Sequence, residues 1–147
     1  ERGNNYGAGR NNQYGIGQKD VRDYYEASNR ETMVIALIES AEGVKNIDQI
    51  CAVPGLDATW LGPSDLAQSM GLPPQQAVDE AVGKVVDATI RAGKILAVTH
   101  LPPNDTEKLQ QFMNKGARML STRITQFIRL GATEWQTTVK KLASELT

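Results

Sequence analysis

The stretch Met33-Val-Ile-Ala-Leu-Ile-Glu39 decides how this chain of 147 residues folds. Six apolar residues in a row fit a strand that is covered on both faces, which is typical of a parallel sheet. A second apolar run, Ala58–Leu61, is followed by the turn Gly62-Pro-Ser and then by Asp65. The two runs therefore predict neighbouring strands, each with a carboxylate just beyond its end.

Helix and strand patterns alternate from Asp20 to the end of the chain. A helix needs a polar cap at its start, and we expect Asp20 to cap the first helix and Asn104 or Asp105 to cap a later one. Repeated strand–helix units demand a parallel sheet with right-handed crossovers. Strands are predicted over 33–38, 57–61, 94–99 and 118–122, and helices over 20–29, 41–53, 73–92, 107–115, 125–129 and 133–146.

Four such units are half of an eight-unit (β/α)8 TIM barrel. We therefore predict an α/β fold in which residues 20–147 form about four β/α units of such a barrel. Half a barrel would leave two open sheet edges and one uncovered face. A preceding segment of the same polypeptide, or another chain, is expected to close it.

Residues 1–19 are rich in glycine and asparagine and contain almost no aliphatic surface. This composition predicts a loop or mobile arm. The arm is either a flexible connection or a loop whose Arg2 and Arg10 border a ligand site. Because the chain begins at Glu1 and not at Met, we expect a segment upstream of it.

Composition limits the classes of function. The chain is 40% hydrophobic and 22% charged, with a net charge of −1. Nucleic acids and anionic membranes attract clustered Lys and Arg, and a net charge of −1 provides no such attraction. We therefore expect neither as a partner. The single Cys51 cannot form an intrachain disulfide, which favours a reducing compartment and a cytoplasmic location. No apolar stretch approaches a membrane span, and no signal peptide is visible.

Ionisable groups follow three of the predicted strands directly: Glu39, His100 and Arg123. In a barrel such positions line one rim, where Glu39 and Asp65 converge and form a site for a hard divalent cation and an anionic substrate. Plainer interpretations exist for each group. Glu39 could be a solvated acid before the next helix, His100 a structural residue, and Arg123 an outward salt-bridge partner.

The turn after the second strand favours anion binding. Gly62 lets the backbone approach a ligand closely, and Pro63 presets the first helical position. The backbone N–H groups of Ser64 and Asp65 would then point outward at a helix start, towards a carboxylate or phosphate. The plainer interpretation is a helix cap, because Ser and Asp are preferred caps in any protein.

The sequence Ile-Ala-Leu-Ile-Glu39-Ser-Ala-Glu-Gly-Val, followed by Val-Pro-Gly-Leu-Asp57 and Leu-Gly-Pro-Ser-Asp65-Leu, resembles the HpcH/HpaI aldolase family. That family contains class II aldolases for 2-keto acids, such as 4-hydroxy-2-oxoheptanedioate and 2-dehydro-3-deoxyglucarate aldolases, and macrophomate synthase is a relative. The resemblance covers nearly the whole chain and is strongest over residues 34–71. It implies that the chain is the C-terminal half of a TIM barrel.

The resemblance also implies chemistry. Glu39 and Asp65 would bind Mg²⁺ or Mn²⁺, and the cation would take the carboxylate and keto oxygens of a pyruvate- or oxaloacetate-like substrate. It would stabilise the pyruvate enolate formed on carbon–carbon cleavage or decarboxylation. Gly62, Pro63, Ser64 and Asp65 would hold the substrate. Family members form homo-oligomers by exchanging C-terminal helices, so the helix that carries Trp135 is expected to pack on a neighbour.

The sequence also departs from the family pattern. The family's substrate-binding arginine and its His-Asp acid/base pair belong to the half that this sequence lacks. Leu37 stands where the family commonly has glutamine, and the third and fourth strands end in Thr99-His100 and in Leu120-Ser-Thr-Arg123. Three hypotheses follow: a metal-dependent aldolase, a non-catalytic barrel fragment or subunit that binds a ligand or partner, and an oxaloacetate decarboxylase or macrophomate synthase-like enzyme.

Overall fold

A computed structural model describes residue 16, residues 20–99 and residues 101–146. The predicted arm at residues 1–19 therefore lies, apart from residue 16, outside the described residues. Within the described part, helices and strands alternate in the following order: α1 Val21–Glu31, β1 Ile35–Ile38, α2 Ala41–Lys45, α3 Ile47–Cys51, β2 Ala58–Leu61, α4 Pro63–Ser69, α5 Gln75–Arg91, β3 Ile95–Val98, α6 Thr106–Asn114, β4 Ala117–Leu120 and α7 Ile124–Ser144.

The four strands form one parallel sheet in the order β1-β2-β3-β4. Ile38 pairs with Leu61, and Leu61 pairs with Val98. The pairing of β3 with β4 contains an irregularity next to Leu96, which shifts the register by one residue. The predicted α/β class with a parallel sheet is confirmed, and each strand is adjacent to the next one along the chain.

One face of the sheet packs against helices. Side chains alternate between the two faces of a strand, so Ile38, Leu61 and Leu96 point to the same side and are almost completely buried there. The central helix on this side is α5. Its Thr89 hydroxyl lies 2.7 Å from the Thr59 hydroxyl of β2 and donates to the Val85 carbonyl. These buried hydrogen bonds and the apolar core fix α5 to the middle of the sheet.

The opposite face of the sheet is largely uncovered within the described residues. Leu37, in the middle of β1, is 54% exposed, and Trp60 on β2 is only partly buried. The Nε1 atom of Trp60 is shielded from solvent, and it has no hydrogen-bond partner in the part of the chain that the structure describes. A four-stranded sheet with one face covered by helices and one face partly exposed agrees with the geometry expected for part of a barrel.

Two helix predictions need correction. The helix predicted over 41–53 is split at Asn46 into α2 and α3. The two closing helices predicted over 125–129 and 133–146 are one continuous helix, α7. The predicted break lay at Gly131, but an isolated glycine costs a helix only about 1 kcal/mol relative to alanine, which one continuous backbone hydrogen-bond ladder outweighs.

The predicted caps hold in two places. Asp20 accepts a hydrogen bond from the Arg22 backbone N–H, and Asp105, not Asn104, accepts one from the Lys108 N–H. Cys51 is buried, and burial raises the pKa of its thiol. No helix among the described residues is long and apolar enough to cross a bilayer.

Candidate functional site

A cavity of about 440 Å³ lies at the C-terminal ends of β1 and β2. We call it the carboxylate cavity because both predicted metal ligands, Glu39 and Asp65, line it. The structure therefore brings together the two acids that the sequence singled out. Its full lining is Ile35, Leu37, Glu39, Trp60, Gly62, Pro63, Ser64, Asp65 and Thr99.

Glu39 is held against the neighbouring strand. The backbone N–H of Gly62 donates to the Ile38 carbonyl at 3.1 Å, which extends the ladder one step beyond β2. A methyl group placed on Gly62 would lie 3.1 Å from Cβ of Glu39 and 3.4 Å from its Oε2. The Glu39 carboxylate thus lies over the space that Gly62 leaves by having no side chain.

Asp65 reaches the cavity from the first turn of α4, which begins at Pro63. Gly62 is the N-cap of this helix and offers no side-chain cap, so the interpretation of Ser64 or Asp65 as the cap is wrong. The first helical hydrogen bond runs from the Leu66 N–H to the Gly62 carbonyl. The N–H groups of Ser64 and Asp65 precede that bond and are therefore the unpaired donors expected at a helix start.

One further contact fixes the two acid-bearing segments relative to each other. The Ala41 N–H, at the start of α2, donates to Ser69 Oγ at the end of α4. Ser40, not Glu39, caps α2 by accepting from the Gly43 N–H. Neither Glu39 nor Asp65 has a hydrogen bond or ion pair with any residue that the structure describes. Within the described residues, the oxygens of both carboxylates therefore remain available for a ligand.

The remaining predicted rim residues are not brought to the cavity by the described structure. Arg123 is the N-cap of α7 and does not line the cavity. The reason is that β4 ends at Leu120, so Arg123 lies three residues beyond the strand. Arg2 and His100 lie outside the described residues.

Four lining residues were not predicted as site residues: Ile35, Leu37, Trp60 and Thr99. The sequence does contain the signal, because residues two apart on a strand share a face. Leu37 therefore accompanies Glu39, and Trp60 accompanies Gly62. Thr99 lines the cavity at the end of β3, and its hydroxyl accepts a hydrogen bond from Ser121 Oγ at 3.1 Å.

The sequence model of the HpcH/HpaI aldolase/citrate lyase family matches residues 5–129. The chain belongs to this family. A 4-hydroxy-2-oxovalerate aldolase of Novosphingobium aromaticivorans is 35% identical over 107 residues, which are 71% of this chain and 40% of the relative. The resemblance found in the sequence is thereby confirmed.

Solved structures of the HpcH/HpaI aldolase/citrate lyase family extend the match. A family protein from Burkholderia cenocepacia J2315 superposes with a TM-score of 0.77 at 28% identity, covering 95% of this chain and 53% of that one. Macrophomate synthase gives a TM-score of 0.72 at 22% identity over 93% of this chain and 45% of its own, a likeness in fold alone. The chain thus spans about half the length of these relatives, or less.

The donor set of the carboxylate cavity fits a hard cation. Mg²⁺ is commonly bound through one or two carboxylates, with water and substrate oxygens in the other positions. No group of three His, Cys, Asp or Glu side chains that could hold a metal occurs among the described residues. The two acids of this HpcH/HpaI family member would therefore leave most coordination positions open, as a substrate-binding metal requires.

Proposed function

We propose that this chain carries the metal and substrate site of a class II aldolase that cleaves a 2-keto acid. The observation that supports this most strongly is that Glu39 and Asp65, which have no hydrogen bond or ion pair with any described residue, line one cavity of an HpcH/HpaI family member. The reaction would break the C3–C4 bond of a 4-hydroxy-2-keto acid and give pyruvate and an aldehyde. The named activity of the Novosphingobium relative supports this substrate class.

Each residue of the site has a definite part in this proposal. Glu39 and Asp65 hold Mg²⁺ or Mn²⁺ through their carboxylate oxygens. The N–H groups of Ser64 and Asp65 bind the substrate carboxylate, and Gly62 keeps the space beside Glu39 open. When bound, the cation supplies Lewis-acid stabilisation of the negative charge that develops on the keto oxygen.

The barrel proposal is that other strands complete the fold. Within the described residues β1 and β4 are the edges of the sheet, and the face that carries Leu37 is partly exposed. We propose that this chain is the C-terminal half of a (β/α)8 barrel. The N-terminal half, in the same polypeptide or in another chain, would supply the missing strands and the acid/base residues. We use "assembled protein" for this chain together with those strands.

Chelation tests the proposed function. Cleavage of a 4-hydroxy-2-keto acid by the assembled protein is expected to fall at least about 100-fold in EDTA, because Lewis-acid stabilisation is worth several kcal/mol. Added Mg²⁺ or Mn²⁺ should restore the rate. EDTA saturated beforehand with Mn²⁺ is the control for other effects of the reagent, because it cannot remove either cation. A cleavage rate that does not change when EDTA is added would overturn the metal mechanism.

Leu37 motivates a second candidate, a barrel subunit that binds a ligand or partner without turnover. A leucine in the cavity cannot orient water or a polar substrate group, unlike the glutamine expected from the family pattern. Titration calorimetry of the assembled protein with Mn²⁺ and pyruvate, together with activity assays, separates the hypotheses. Binding in the absence of both aldol cleavage and oxaloacetate decarboxylation favours the subunit. Decarboxylation without aldol cleavage favours the decarboxylase or synthase branch.

Helix α7 supports a proposal about assembly. None of its residues is buried, and Trp135 is 69% exposed, so the described part of the chain does not cover this helix. An apolar stripe runs along the helix at helical spacing. We propose that it packs on another copy of the protein, as in a homo-oligomer with exchanged helices. The stripe consists of Ile124, Phe127, Ile128, Trp135, Val139 and Leu142.

Sedimentation tests this interface. Replacing Trp135 and Val139 together by glutamine should shift the assembled protein to a smaller species, because buried aromatic anchors dominate interface energies. The matched control replaces Thr137 and Lys140, which lie on the opposite side of α7, and should leave the oligomer unchanged. An unchanged oligomer in the Trp135/Val139 variant would show that the stripe is not an interface.

A further inference from the structure

The carboxylate cavity has both polar and apolar lining residues. Glu39, Ser64, Asp65 and Thr99 contribute polar groups, and Ile35, Leu37 and Trp60 contribute large apolar side chains. These three apolar residues do not belong to the core beneath the helices. A ligand that fills the cavity therefore meets both carboxylate oxygens and hydrocarbon.

Leu37 borders the carboxylates directly. Its Cδ1 lies 3.7 Å from the position that a methyl group on Gly62 would take, and Glu39 Oε2 lies 3.4 Å from the same point. Glu39 follows Leu37 by two residues, so both side chains leave the same face of the chain. A substrate held by Glu39 and Asp65 would thus have the Leu37 methyl groups beside it.

We infer that Leu37, with Ile35 and Trp60, is a specificity surface for keto acids whose C4 carries an alkyl or aryl group. This rests on the proposed aldolase function. Contact with hydrocarbon favours an apolar substituent. A hydroxyl group beside Leu37 and Ile35 loses hydrogen bonds to water and finds no hydrogen-bond partner on these two side chains. The substrate class is therefore an apolar 4-hydroxy-2-keto acid, and polyhydroxylated sugar acids are poor substrates.

Two substrates that differ only at C4 test the inference in the assembled protein. We expect kcat/KM to be about tenfold higher with a methyl group at C4 than with a hydroxymethyl group, the size typical of small differences in apolar pockets. Leu37→Gln should abolish or reverse this preference. Met113→Gln is the control, because Met113 on α6 is equally exposed, at 55% against 54% for Leu37, and lies outside the cavity.

Equilibrium binding keeps the inference separate from the proposed function. In the presence of Mn²⁺, 2-oxopentanoate should bind about tenfold more tightly than 5-hydroxy-2-oxopentanoate, neither of which can be cleaved by a retro-aldol step. Binding preference without turnover would overturn the aldolase proposal and uphold the apolar surface. Turnover with no preference would overturn the surface alone. If Leu37→Gln leaves the preference unchanged and strongly lowers Tm, Leu37 is covered by protein in the assembled state. This result would also overturn the inference.

Discussion

Glu39→Gln in the assembled protein is expected to lower kcat/KM for keto-acid cleavage by about a thousandfold, and Asp65→Asn by a similar factor. Each change removes one anionic metal ligand while keeping the size of the side chain. The loss corresponds to the several kcal/mol that a bound Lewis acid contributes to charge stabilisation. Calorimetric titration with Mn²⁺ should show weakened binding in both variants, and steady-state kinetics should show the fall in rate.

Stability is expected to respond quite differently. Both carboxylates are exposed, and neither has a partner among the described residues, so their replacement breaks no hydrogen bond or ion pair in that part of the chain. We expect Tm to stay within about 2 °C of the wild-type value, since such surface changes usually alter stability by less than about 0.5 kcal/mol. Glu42→Gln, on the exposed side of α2 and outside the cavity, is the matched control and should leave both rate and Tm unchanged.

Two results would contradict the assignment of Glu39 and Asp65. Full activity in either variant would remove that residue from the site. A large fall in Tm that accompanies the loss of activity would assign the acid a structural role in the assembled protein. The double variant adds information, because two ligands of one cation act as a unit and their effects are not additive.

The sequence predicted the framework of the site because two local patterns sufficed for it. Largely apolar runs over 33–38 and 58–61 indicated neighbouring parallel strands, and the strands lie side by side as expected. Acids just beyond adjacent parallel strands must approach the same edge of the sheet, so Glu39 and Asp65 line one cavity. Spacing by two residues also places Leu37 and Trp60 on the same strand faces as Glu39 and Gly62. Only the structure shows that both line the cavity.

Other features depended on information that local patterns do not hold. The position of Arg123 follows from where β4 stops pairing, and the register irregularity beside Leu96 affects that pairing. The continuity of α7 reflects a balance between one weak helix former, Gly131, and the hydrogen bonds of 21 residues. Closure of the barrel depends on strands beyond those described, and no pattern within this sequence specifies their contacts.

Substituting Gly62 is expected to weaken metal binding although neither proposed metal ligand is replaced. A methyl group there would lie 3.1 Å from Cβ of Glu39, a distance tighter than ordinary van der Waals contact, so the Glu39 side chain must move. Gly62→Ala should raise the Kd for Mn²⁺ about tenfold and Gly62→Val about 100-fold, the range found when groups that orient a metal ligand are changed. The backbone itself is not strained, because Gly62 has a φ of −113° that any residue adopts.

The graded series separates steric displacement from other causes. Gly83→Ala on α5 is the control: a methyl group there meets no heavy atom within 4 Å, so metal affinity should stay unchanged and stability should rise by about 0.5–1 kcal/mol. Because both acids remain present, saturating Mn²⁺ should recover much of kcat in Gly62→Ala, whereas it should not do so in Glu39→Gln. Wild-type affinity in Gly62→Val would mean that Glu39 does not bind the metal from the position seen beside β2, and the site would then have to be rebuilt around Asp65 alone.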